Sequence, residues 1–178
     1  PRNWNGGLHY SNKFNNNKQS LNGGYKFSKV NAPGVTSTFS KTFLPDTSWS
    51  TNTISNNYSS NNKHAFNFTL ETTIDSMNTL KWTTRANENK SLNRSSYYSE
   101  ALTDDLDSIN NSRRKSNNKG VNDAIISSLL WKHKFKKLSR TLSINADLNW
   151  NRSDNEGLLY SLNNYFSGGV IDRRDTID

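Results

Sequence analysis

The residue types that most often carry chemistry are present but do not gather into a recognisable site. His9, His64 and His133 are the only histidines, and a metal centre needs converging ligands with supporting hydrogen bonds. Each stands alone in its own run, so they read as strand residues. Asp104, Asp105 and Asp107 with Asn110 offer the hard oxygens that Ca²⁺ prefers. They lack the Gly and the closing Glu of an EF-hand loop, so the segment reads as a solvated acidic loop. No Gly-x-Ser-x-Gly, His-Glu-x-x-His or phosphate-binding glycine loop occurs. The absence of cysteine excludes a disulfide framework and every thiolate-ligated metal. The sequence points to no enzyme, no cofactor and no metal.

Binding chemistry is carried by aromatics in polar surroundings. Trp49, Tyr58, Tyr97 and Tyr98 lie in Ser/Asn-rich segments, where an exposed ring can stack on a ligand such as a sugar. They are the candidate ligand-contacting loop residues. The competing reading has them packing loops against one another, and neither reading gives a ligand class.

The elements that must position these rings are alternating runs. In residues 125 to 150, Leu129, Trp131, His133 and Phe135 share one parity; after the basic turn Lys136 to Arg140, so do Leu142, Ile144, Ala146, Leu148 and Trp150. Successive side chains of a strand point to opposite faces, so this is a hairpin with one oily and one wet face. Residues 7 to 29 repeat the plan about the turn Asn15-Asn16-Asn17-Lys18, since Asn tolerates the left-handed backbone of a tight reversal. Residues 64 to 84 repeat it again, with Phe66, Phe68, Leu70 and Ile74 before the turn Asp75 to Asn78 and Leu80 and Trp82 after it.

Between the hairpins lie polar stretches at about 30–63, 86–122 and 151–178, which read as long loops. Hairpins with short turns at one end and long loops at the other predict an all-β, antiparallel up-and-down meander. That asymmetry is the pattern of a transmembrane β-barrel section, with short turns on the periplasmic side, long loops outside, an apolar lipid face and a polar lumen. Phe14, Trp82, Phe135 and Trp150, near run ends, would be girdle aromatics.

Bulk composition fits one domain-sized piece of such a wall. The chain has 178 residues, 31% hydrophobic and 11% aromatic, with a mean hydropathy of −0.93. That leaves little apolar area for a two-sided core. No stretch approaches the ~20 apolar residues of a transmembrane helix, whereas a barrel strand needs only about 9–11 alternating ones. The net charge of +8 is spread through strands and loops with Asp and Glu among the basic residues, which favours a solvated surface over a nucleic-acid interface. Both ends read as cut from a longer chain. The rival from another class is a soluble, secreted β-sandwich binding or adhesive module.

The stretch WKHKFKKLSRTLSINADLNWN, followed by EGLLYSLNNYF, resembles the outer-membrane β-barrel region of the large TonB-dependent-receptor-like proteins of Bacteroidota. ETTIDSMNTLKW is similar to that family's strand, short turn, strand unit. The resemblance implies a barrel of many strands in the cell outer membrane, acting in uptake or surface recognition of a ligand. Its implied partners are outer-membrane lipid, the remaining strands and plug of the same barrel, a TonB-type energy-coupling protein and a surface lipoprotein, with no nucleic acid.

Overall fold

The computed structural model describes residues 1–137 and 139–177, and every regular element among them is a strand. The order is β1 (Arg2–Phe14), β2 (Gln19–Phe43), β3 (Ser48–Thr73), β4 (Asn78–Thr103), β5 (Ser108–Lys134), β6 (Thr141–Ser167) and β7 (Val170–Ile177). They form a single seven-stranded sheet in sequence order, each pair antiparallel, and the sheet does not close on itself. The meander expected from the sequence is the observed topology.

The expected long loops are not loops. Residues 30–63 and 86–122 continue β2 to β5 around the turns at 44–47 and 104–107, and 151–177 continues β6 through Gly168-Gly169 into β7, residue 178 of the expected loop lying outside the described residues. Turns are short at both ends of the sheet. Lys18 N donates to Asn15 O (3.1 Å), with Asn15, Asn16 and Asn17 all at positive φ. At the far end Leu106 N donates to Thr103 O (3.1 Å) and Leu106 itself takes φ 67°. The basic turn after β5 closes by Phe135 N donating to Arg140 O (3.0 Å); its Leu138 lies outside the described residues. Strands of 25 to 27 residues at about 3.3 Å per residue extend for about 85 Å.

The strands divide along their length. Near the turns at 15–18, 74–77 and 135–140, the register aligns the apolar positions of neighbouring strands on one face. Leu8, Tyr25, Phe66, Ala86, Ile125 and Trp150 form one row across β1 to β6. Tyr10, Gly23, Phe68, Thr84, Ser127 and Leu148 form the next, followed by Asn12, Leu21, Leu70, Trp82, Leu129 and Ala146. Below them Phe14, Gln19, Thr72, Leu80, Trp131 and Ile144 complete an apolar band. A slip of one residue in any strand would turn its apolar set to the other face, so the alternation fixes the register.

No second layer covers the band among the described residues. Each strand contacts only its sequence neighbours. Leu8 is 79% exposed and Leu148 59%, and Ala101 is the only buried apolar residue among those described. The stability of this sheet therefore comes from backbone ladders and cross-strand pairs, such as the edge-to-face contact of Phe68 and Trp82 (centroids 5.1 Å apart).

Candidate functional site

The apolar face has sharp borders. One row above Trp150 the same face carries Gly6, Phe27, His64, Glu88, Asp123 and Arg152 in register. Below Ile144 it ends at Asn78, His133 and Leu142, beside the turns. Along β6 the band runs from Leu142 to Trp150, matching the about 9–11 residues with which a tilted strand crosses a bilayer. Tyr25, Phe66 and Trp150 stand in its upper row, and Phe14 and Trp131 in its lowest. Trp82, expected near a border, instead lies in a middle row, where its indole N–H donates to Ser127 Oγ at 2.9 Å.

The two histidines of this face occupy its opposite borders. His64 Nδ1 lies 2.6 Å from the Tyr25 hydroxyl, and its ring packs on Phe27. His133 Nδ1 lies 2.8 Å from Asn78 Oδ1, its ring between Trp131 and Phe135. His9 is on the other face, paired with Gly24. The histidines do not converge.

The opposite face is mostly polar, with Ile126 and Leu130 as apolar positions on β5. Beside the band it carries rows such as Ser11, Asn22, Thr69, Thr83, Ser128 and Asp147. Beyond the band, hydroxyl and amide side chains bond across strands: Ser59 Oγ donates to Asn93 Oδ1 (2.8 Å), Ser153 Oγ to Asn122 Oδ1 (2.7 Å) and Ser112 Oγ to Asn163 Oδ1 (2.7 Å). Gly120 belongs to this face because a Cβ there would come within 2.5 Å of Asn155 Oδ1 and 2.9 Å of Ser91 Oγ.

The candidate aromatics Trp49, Tyr58, Tyr97 and Tyr98 are strand residues, not loop residues, and they do not form one cluster. Trp49 and Tyr58 are in β3, Tyr97 and Tyr98 in β4. By parity Trp49 and Tyr97 project from the polar face, whereas Tyr58 and Tyr98 share the face of the apolar band, well above it. Tyr58 OH donates to Asn31 Oδ1 (3.3 Å), and the Arg113 guanidinium lies 5.5 Å from the centre of the Tyr98 ring. Partial burial, reinforced by neighbouring Glu100, raises the Tyr98 phenol above its ordinary pKa.

The acidic segment Asp104 to Asp107 is the turn between β4 and β5. Asp104 accepts from Lys41 Nζ (2.7 Å) and from the Ser48 hydroxyl, so it ties the 44–47 turn to its own. Those two bonds hold its carboxyl below the ordinary range. Among the described residues no group of three or more metal-ligating side chains converges.

Sequence reasoning missed a cleft on the polar face at the 15–18 end, lined by Lys13, Lys18, Glu71, Lys81 and Lys132 with a volume of about 480 Å³. Its members come from β1, β3, β4, β5 and a turn. Each lysine looks like an ordinary wet-face residue until the register brings them together.

No family model matches the chain, and no curated protein is significantly similar to it.

Proposed function

We propose that this chain is part of the wall of a Gram-negative outer-membrane β-barrel, of the TonB-dependent-receptor-like kind, serving uptake or surface recognition of a ligand. The carrying observation is the uncovered apolar band: one face, six strands in register, a charged row at its upper border and polar side chains behind it. An exposed apolar area of this extent needs a partner, because soluble monomers rarely show more than a few hundred Å² of it in one patch. Lipid supplies that partner while each strand is bonded to its neighbours.

The Ser/Asn-rich upper strands then rise beyond the bilayer as an extension of the same wall, presenting Trp49 and Tyr97 on the lumen side. Outer-membrane lipid is the first partner. The open edges of β1 and of β6 over Thr141–Tyr160 call for further strands, because unpaired ladder groups cannot face hydrocarbon. A plug, a TonB-type coupling protein and a surface lipoprotein belong to the same proposal.

In the rival reading, a soluble secreted β-sandwich, a second sheet covers the same apolar band. Fractionation tests the choice. The barrel wall is expected in the detergent-extracted membrane fraction, whereas recovery of the protein from a detergent-free supernatant would overturn the proposal.

A further inference from the structure

The polar face ends, beside the turn 15–18, in a cleft whose charge is unbalanced. Lys13, Lys18, Lys81 and Lys132 line it against the single carboxylate of Glu71. Glu71 is engaged by Lys81 at 2.6 Å, and among the described residues Lys13, Lys18 and Lys132 make no ion pair. The other carboxylates at this end are occupied locally: Asp75 accepts from the backbone N–H groups of Met77 and Asn78 (2.7 Å each), and Asp147 accepts from Asn145 Nδ2 (2.6 Å).

The register shows why the charges gather. Lys13, Ser20, Glu71, Lys81 and Leu130 form one polar-face row across β1 to β5, with Lys132 one row nearer the turns beside Thr79. Ser20, Thr73 and Thr79 also line the cleft. Four lysines lining one pocket of about 480 Å³ suit a ligand bearing more than one negative group, since each ammonium is a point charge with rotatable donors. The turn 135–140, with Lys136, Lys137 and Arg140, adds positive potential at the same end.

We propose that this cleft is a binding site for a small oligoanion carrying phosphate or carboxylate groups, held by Lys13, Lys18 and Lys132 with the Lys81–Glu71 pair as its wall. The site rests on the polar face alone and does not depend on what covers the apolar band.

The test is calorimetric titration of the full chain, in nonionic detergent, with pyrophosphate and separately with citrate. Saturable binding that weakens as salt rises is expected for at least one of them. The variant Lys13→Gln/Lys18→Gln/Lys132→Gln should lose affinity by about tenfold or more. Lys29→Gln/Lys115→Gln/Lys119→Gln, which removes the same charge from the opposite face, should stay within about twofold. Glu71→Gln should bind more tightly, because it removes the one carboxylate among the described lining residues of the cleft. Strand content by circular dichroism verifies that each variant is folded. No binding of either anion by the unmodified protein, equal losses in the two triple variants, or unchanged affinity in the cleft variant would each overturn the site. Fractionation into a detergent-free supernatant would overturn the membrane reading while leaving this one intact.

Discussion

Glu88 and Asp123 stand directly opposite one another on β4 and β5, two carboxylates on the same face one row above Ala86 and Ile125. Like charges in that position repel. Here His64 flanks Glu88 and Arg152 flanks Asp123 in the same row, and Lys90 bonds Glu88 at 2.6 Å. The pair lies in the charged row that borders the apolar band, and two residues lower on the same face stand Ala86 and Ile125.

That border turns into an energetic prediction. Arg in place of Leu70 or Ile144 is expected to cost about 2–4 kcal/mol if those positions lie in mid-membrane. Arg in place of Val121, on the same face but above the charged row, should change stability by no more than about 0.5 kcal/mol, as should Lys132→Ala or Asn145→Ala on the polar face. Urea unfolding from lipid vesicles measures all five. Similar costs at Leu70 and Val121 would remove the bilayer from the explanation.

The upper strands give a second prediction. Backbone amides of residues 48–63 and 86–103 are laddered on both sides by neighbouring strands over most of their length. They are expected to resist hydrogen exchange as strongly as those of 64–73, where sequence alone already indicates a strand. Exchange within seconds, as in a solvated loop, would contradict the extended sheet.

The same comparison shows what could be read in the sequence and what could not. Between Phe66 and Ile74 apolar and polar residues alternate, so the period of two is visible. Between Ser48 and Lys63 both faces are mostly Ser, Thr and Asn, with Trp49, Ile54 and Tyr58 scattered among them, so little contrast marks the period, and Asn is a poor strand former. What holds that segment is backbone pairing and amide–hydroxyl bonds such as Ser59 to Asn93, which join residues far apart in sequence. The turns Asn15 to Lys18 and Asp75 to Asn78 are legible as reversals, whereas the sequence does not mark as reversals two further segments that fall there, Leu44-Pro45-Asp46 and Asp104 to Asp107. Without the intervening strands, the last two read as features within loops. The lysine cleft was hidden for a related reason, because only the register places Lys13 and Lys81 in one row.

The turn at Asp75 carries a pH dependence. Its carboxylate accepts from the side chain of Asn78 and the backbone N–H groups of Met77 and Asn78, which lowers its pKa from the ordinary 3.8. A carboxyl depressed in the folded state contributes fully above its unfolded value and loses that contribution as pH falls through the folded one. The amide protons of Met77 and Asn78 should therefore keep their shifts from neutral pH down to about 4 and move together below it. In Asp75→Asn they should not titrate there. Movement centred near neutral pH would contradict the assignment to Asp75.

The five tryptophans supply the most direct reading of depth. Trp82, Trp131 and Trp150 lie on the band face between its lowest and upper rows. Trp4 shares that face but stands above the charged row, opposite Lys29, and Trp49 lies near the far turns on the polar face. In single-tryptophan variants with Phe at the other positions, lipids brominated on their acyl chains should quench Trp82 most strongly, since it sits in a middle row. Trp131 and Trp150 should be quenched less by deep bromines and more by shallow ones, and Trp4 and Trp49 hardly at all. Trp4 separates the explanations best. A sheet buried face-down against another protein would shield it irrespective of lipid label, and a bilayer covering the whole face would quench it as strongly as Trp150. Only a band ending at Glu88 and Asp123 leaves Trp4 bright while Trp150, on the same face, is dimmed.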